Sequence, residues 1–304
     1  MKNLLTTAPL YLTLLLFMFS CKGDANSGPE PVNIDGRKAY LFKKTPTRDL
    51  YLYVNEPVDS LRKRKYSAIV FFFGGGWRKG TPTQFSEHAK YLASRGMFVF
   101  QADYRTIEQD SVTPFESVSD GKSAIRWVRR NARFLGIDPD RIASAGGSAG
   151  GHIAAACGTL TGLDETYEDI SVSSVPDAMV LFNPVYDNGP TGYGYNLFGE
   201  RYTEISPLHN IRRGVPPAIV FLGTMDKNIP VATAEDFKHR MEKAGSRSEL
   251  FLYEGQGHGF FNFNRGYTMY STTLYETDRF LSSLGFINGE PLITPGSASG
   301  EQIK

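Results

Sequence analysis

Cysteine is nearly missing from this chain: Cys21 and Cys157 are the two in 304 residues. That leaves no disulfide framework to hold a small fold. A charge excess of either sign is missing too. Lysine and arginine total 33 against 32 aspartates and glutamates, and the two signs are interspersed. The basic footprint of a nucleic-acid binder is therefore absent, and nucleic acid is not expected as a partner. Histidines number five, and none stands with cysteines or carboxylates at metal-ligand spacing, so neither a metal nor a cofactor is expected. Gly121-Lys122-Ser123 looks like the end of a P-loop, but Glu116 occupies the position of the required earlier glycine. No strand precedes it either. There is no internal repeat, and the apolar run from Leu10 to Phe19 is too short to cross a bilayer comfortably.

That run follows Lys2 and ends at Ser20-Cys21, the pattern of a secretory leader. A small residue before a cysteine resembles a bacterial lipoprotein cleavage site, with Met18 and Phe19 as looser matches. Residues 1–20 are accordingly expected to be a signal peptide and Cys21 to be acylated. Residues 21–36, rich in Gly, Pro, Asn and Asp, would then be a flexible tether. The mature protein would be exported, periplasmic or at the cell surface, and would meet the membrane only through its lipid. Cys157, left without a partner, is expected to be a buried free thiol.

What the chain does have is a hydrophobic content of 41%, enough for one sizeable core. Tyr40–Phe42 and Leu50–Val54 alternate like strands and predict an antiparallel hairpin at a sheet edge. Short apolar strands then alternate with amphipathic helices. Strands are expected at Ala68–Phe73, Phe98–Ala102, Ile142–Ala145, Ala178–Phe182, Ala218–Leu222 and Leu250–Tyr253. Helices are expected near Thr83–Arg95, Phe115–Leu135, Val231–Ala244 and Tyr270–Leu284. This order predicts an α/β fold spanning 37–289, a mostly parallel central sheet with helices on both faces. Residues 290–304 are expected to be a disordered tail.

In such sheets ligands bind beyond the carboxyl ends of the strands, and the reactive residue types stand there. Gly146-Gly147-Ser148-Ala149-Gly150 fits G-x-S-x-G, a strained strand-to-helix turn that exposes a serine hydroxyl. Asp226 follows the strand at Ala218–Leu222, and His258 lies in a glycine-lined loop after Leu250–Tyr253. A neutral serine is a poor nucleophile, so the chemistry needs an imidazole to take its proton and a carboxylate to orient that imidazole. Ser148, Asp226 and His258 occur in the order nucleophile, acid, base. Asp187, a few residues after Ala178–Phe182, is the rival acid. His88 and His239 are expected at or near the surface of helices, His209 in a loop, and His152 packed along the helix behind Ser148. Phe73-Gly74-Gly75-Gly76-Trp77 can supply an oxyanion hole, because glycines let backbone N–H groups approach a forming oxyanion. Gly75 and Gly76 are the candidate donors, with the amide of Ala149.

Together these segments, with Ala102-Asp103-Tyr104-Arg105 and Gly136-Ile137-Asp138-Pro139-Asp140-Arg141-Ile142, resemble the acetyl esterase/lipase branch of the α/β hydrolases, feruloyl- and acetyl-esterase-like members included. The resemblance runs from about Tyr40 to Gly285. It implies a serine carboxylesterase acting through an acyl-enzyme, with Ser148, His258 and Asp226 as its triad. One departure is plain: the family's His-Gly-Gly-Gly has Phe73 in place of histidine, which leaves open how the loop is held. An aromatic stretch, Tyr186–Tyr202, is the expected cap. Trp77, Tyr193 and Tyr195 are candidates for the substrate pocket, and short acyl esters, including those of polysaccharides, are the expected substrates. Amide or peptide hydrolysis on the same fold is the alternative within enzymes. A catalytically inactive binding lipoprotein is the alternative outside them.

Overall fold

The computed structural model describes residues 28–58, 65–296 and 301–303. The leader, Cys21 and the expected tether as far as residue 27 lie outside the described residues, and the rest of that tether is not all flexible, because Val32–Ile34 form a strand. Ten strands form one sheet: β1 (Val32–Ile34), β2 (Arg37–Lys44), β3 (Asp49–Asn55), β4 (Tyr66–Phe72), β5 (Met97–Ala102), β6 (Ile137–Gly147), β7 (Ala178–Phe182), β8 (Ala218–Gly223), β9 (Ser248–Tyr253) and β10 (Glu301–Ile303). Their order across the sheet is β1-β2-β3-β5-β4-β6-β7-β8-β9-β10. The six from β5 to β9 pair in parallel, whereas β1, β2 and β3 run antiparallel on one side and β10 on the other.

Eight α-helices accompany the sheet among the described residues: α1 (Ser86–Ser94), α2 (Ile107–Asp110), α3 (Pro114–Arg130), α4 (Ala132–Leu135), α5 (Ala149–Thr159), α6 (Tyr195–Phe198), α7 (Val231–Lys243) and α8 (Tyr267–Ser283). The twofold alternation along β4 assigns them to faces. Ala68, Val70 and Phe72 pack in one core with α3, α5 and α7. Ile69 and Phe71 pack in a second core with α1 and α8. Both faces being covered, the central strands carry unbroken apolar runs. The start of α3 is fixed by Pro114 at its first position and a capping box between Thr113 and Glu116, which satisfies amides with no intrahelical partner. None of the described helices is long and apolar enough to cross a membrane.

Three local expectations need correction. The expected helix to Leu135 is two helices, broken at Asn131. The hairpin β2–β3 is not the sheet edge, because β1 pairs outside it. The tail is not structureless: Glu301–Ile303 pairs antiparallel with Leu250–Leu252, and Ile293 packs against the α1/α8 core. An exposed β9 edge would leave a row of unpaired backbone groups, and β10 fills it.

Candidate active site

The strand order decides what meets. Phe72 of β4 is in register with Gly146 of β6, and Gly147 of β6 with Phe182 of β7. The glycine loop after β4, the serine turn after β6 and Asn183 after β7 therefore lie side by side at the carboxyl edge. Gly223 of β8 pairs with Tyr253 of β9, which sets the Asp226 and His258 loops next to one another.

Ser148 has φ 55° and ψ −121°, a backbone state that costs a non-glycine residue on the order of 1–3 kcal/mol. Its surroundings impose it. The Ser148 amide donates to the Phe182 carbonyl at 3.0 Å, and its own carbonyl accepts from His152 at 2.9 Å. The turn is so tight that a Cβ on Gly150 would lie 2.1 Å from the Phe72 carbonyl oxygen, so glycine is obligatory there. The Ser148 hydroxyl donates to Nε2 of His258 at 2.9 Å, and Nδ1 of His258 donates to Oδ2 of Asp226 at 2.7 Å. The Asp226 side chain is wholly buried, while that of His258 is 26% exposed. The other Asp226 oxygen accepts the amides of Asn228 at 2.8 Å and Ile229 at 3.1 Å. The carboxylate is thus held by its own turn, with one lone-pair face left for the imidazole.

The structure does not bring Asp187 to the histidine. Its Oδ1 accepts the Gly189 amide at 2.8 Å and lies 3.9 Å from Nδ1 of His209. His152 is buried, with Nε2–H donating to the Ile205 carbonyl at 3.0 Å, and burial lowers its pKa to about 4. His88 is a correction: it is fully buried, because the α1 face that carries it points into the aromatic core. Cys157 is buried as expected, and burial raises its thiol to about 12.

The loop after β4 presents Gly75 at φ 127° and Gly76 at φ 63°. A Cβ on Gly75 would fall 1.8 Å from the Lys79 carbonyl oxygen. Within the described residues, no protein acceptor takes the amides of Gly75, Gly76 or Ala149. Ala149 opens α5, whose first amides and positive dipole end face the serine. Phe73, where the resembled family has histidine, stacks on Tyr104 at 4.0 Å between ring centroids, and the Tyr104 hydroxyl donates to the Phe73 carbonyl at 2.7 Å.

A cavity of about 750 Å³ opens over Ser148 and His258, lined also by the glycine loop, Tyr193 and Asn228. Of the candidate pocket residues, only Tyr193 lines it. Trp77 is fully buried and braces the loop from beneath, its ring 5.0 Å from His152 and 5.6 Å from Phe198. Tyr195 turns outward and donates to Glu200 at 2.7 Å. The causes differ: Trp77 fills the core beneath the glycine loop, whereas Tyr195 faces outward to its Glu200 partner.

Sequence reading missed a polar relay beside the site. Gln84 accepts the Gly74 amide at 2.6 Å and donates to Asn262 at 2.9 Å; Asn262 donates to the Gly259 carbonyl at 2.8 Å. The Gly259 amide donates to Oδ1 of Asn183 at 2.8 Å, and Nδ2 of Asn183 lies 3.5 Å from Nε2 of His258. Nothing in a lone glutamine or asparagine marks such a role. Asn183, directly after a buried strand, stands out only in the structure, as a non-glycine residue at φ 33°. Among the described residues no group of three or more His, Cys, Asp or Glu side chains could hold a metal ion.

The family described as BD-FAE matches residues 52–190, and the dienelactone hydrolase family matches residues 177–279. Esterase 2 of Thermogutta terrifontis phosphorylated by paraoxon is 43% identical with a TM-score of 0.79, covering 85% of this chain and 98% of that one. Its propionate-bound form is 42% identical with a TM-score of 0.79, covering 84% and 97%. Among curated relatives, an isoprenylcysteine alpha-carbonyl methylesterase of Arabidopsis thaliana is 28% identical over 73% of this chain and 56% of its own length. An acetylxylan esterase of Xylanibacter ruminicola is 26% identical over 71% of this chain and 45% of its own length. The chain spans about half the length of these curated relatives.

Proposed function

Because the chain belongs to the α/β-hydrolase esterases, we propose that it hydrolyses short-chain carboxylic esters through an acyl-enzyme on Ser148. The observation that carries this reading is the unbroken hydrogen-bonded series from Ser148 through His258 to Asp226 at the floor of an open cavity. As Ser148 Oγ attacks the ester carbon, its proton passes to Nε2 of His258, and the Asp226 carboxylate stabilises the imidazolium. The carbonyl oxygen takes the negative charge beside the amides of Gly75, Gly76 and Ala149, each such donor being worth roughly 10²–10³ in turnover. Collapse expels the alcohol, which takes the proton back from His258. Water activated by the same imidazole then frees the acid.

Acylated polysaccharide is the substrate class we favour. Gln84, Asn183, Asn196, Asn228 and Asn262 place side-chain amides in a wall that also carries Leu197 and Phe261, and one relative is named for acetylxylan. Propionate- and butyrate-bound forms of the Thermogutta esterase support a short acyl group. For location we propose an exported lipoprotein acylated at Cys21, which the N-terminal mass of the native protein tests; an unmodified mature cysteine refutes it.

The decisive assay is hydrolysis of p-nitrophenyl esters from acetyl to octanoyl by wild type and Ser148→Ala, with a fluorophosphonate probe in parallel. Acetyl-preferring turnover and labelling, both abolished in the variant, are expected. Activity that survives Ser148→Ala refutes the mechanism. Preference for octanoyl refutes the short-acyl reading, and an amide cleaved faster than its ester would favour the amidase alternative.

A further inference from the structure

Among the described residues, Arg78 is the one Asp, Glu, Lys or Arg in the cavity wall. It belongs to the glycine loop itself, two residues after the candidate oxyanion donors. Its backbone is fixed at both ends: the Arg78 amide donates to the Gly75 carbonyl at 3.1 Å, and its carbonyl accepts from Glu108 at 3.0 Å. Its side chain is exposed and pairs with no carboxylate of the described residues. Most other arginines here are engaged, Arg48 with Asp103 and Asp110, Arg95 with Asp278, Arg105 with Asp120. An unpaired guanidinium at the mouth of a cavity with no acidic wall residue is a site for an anion.

The neighbours specify more. Asn196, Asn228 and Tyr193 also line the cavity, and their side-chain polar groups make no hydrogen bond to another described residue. These are neutral groups suited to sugar hydroxyls. Asp187, the acid of the adjoining hollow, is occupied by the Gly189 amide. Lys227 lines that adjoining hollow and not this wall, so the wall itself offers one cation, and its guanidinium fork fits a carboxylate with two parallel bonds.

We infer that Arg78 selects esters whose alcohol part is an acidic sugar, a uronate whose carboxylate it binds while the asparagines and Tyr193 take the hydroxyls. The inference rests on the esterase reading above and adds the chemistry of the alcohol. A matched pair of ligands tests it: the methyl glycosides of glucuronate and glucose, which differ only in carboxylate against hydroxymethyl. Each is titrated calorimetrically into Ser148→Ala at low ionic strength. The glucuronide is expected to bind about tenfold tighter, as a partly exposed charge-assisted bidentate contact warrants. Salt should shrink the preference. Arg78→Gln in the same background should abolish it, and Arg78→Lys, with charge but no fork, should keep part of it. Equal binding of the two glycosides, binding of neither, or a preference that survives Arg78→Gln overturns the inference. Ser148-dependent hydrolysis of p-nitrophenyl acetate, which carries no carboxylate, judges the esterase reading separately.

Discussion

Replacing His88 by phenylalanine should stabilise the protein and flatten its response to acid. His88 is fully buried among Phe71, Phe85, Phe182, Phe261 and Tyr270, and both its ring nitrogens lack a hydrogen-bond partner among the described residues. Burial alone lowers its pKa to about 3. In the unfolded chain the same imidazole titrates near 6.5. Below that value the unfolded state binds a proton the folded state refuses, so stability is full above about pH 6.5 and falls as the pH drops towards 3. Between pH 7 and pH 5 the two titration curves differ by about 2 kcal/mol for a single such histidine. His152, lowered to about 4 by burial, adds a similar loss over that interval, so the wild type should lose about 4 kcal/mol from the pair. His88→Phe should lose only the share of His152. At pH 7 the variant should gain on the order of 1–3 kcal/mol, since two unsatisfied buried polar atoms are replaced by a ring of similar shape. Urea unfolding at pH 7 and pH 5 measures all four values. A variant whose stability falls with acid as steeply as wild type would refute the account of His88.

The two candidate acids separate kinetically. Asp226→Asn should lower kcat on p-nitrophenyl acetate by roughly 10³–10⁴ through the wrong imidazole tautomer, while Asp187→Asn should leave it within about twofold. Gln84→Leu unpairs the Gly74 amide and cuts the relay to Asn262, which should cost about tenfold in kcat, the effect of one lost buried hydrogen bond. KM should change little, and an unchanged kcat would show that the loop needs no such support.

The fold was readable because its signals are local and redundant. Strands such as Ala178–Phe182, apolar throughout and buried on both faces, cannot be mistaken for half-exposed ones, and the turn residues between them punctuate each unit. The convergence of Ser148, Asp226 and His258 was readable for a related reason: a parallel sheet delivers every strand-to-helix loop to the same edge. What escaped was anything decided by packing across elements. The amphipathic pattern of α1 placed His88 near the surface, yet its ring closes the aromatic cluster between β4, β7 and α8. Trp77 sits beside glycines like a pocket residue, but the choice between lining a cavity and covering a core depends on neighbours far away in the chain. The pairing of Glu301–Ile303 is equally non-local, since it answers a need of β9 and shows no strand pattern of its own.

The substitution of Phe73 for the family histidine shows why such non-local support matters to the chemistry. An oxyanion loop made of glycines has high conformational freedom, and its amides act only if they are held in place before the reaction. Here the anchoring is divided. Tyr104 clamps the start of the loop by stacking on Phe73 and bonding its carbonyl, Trp77 fills the space beneath, and Gln84 holds the Gly74 amide. Gln84 then passes through Asn262 to Gly259, next to His258. The candidate donors and the imidazole thus share one hydrogen-bonded frame. Tyr104 and Gln84 supply support to this loop through what they touch.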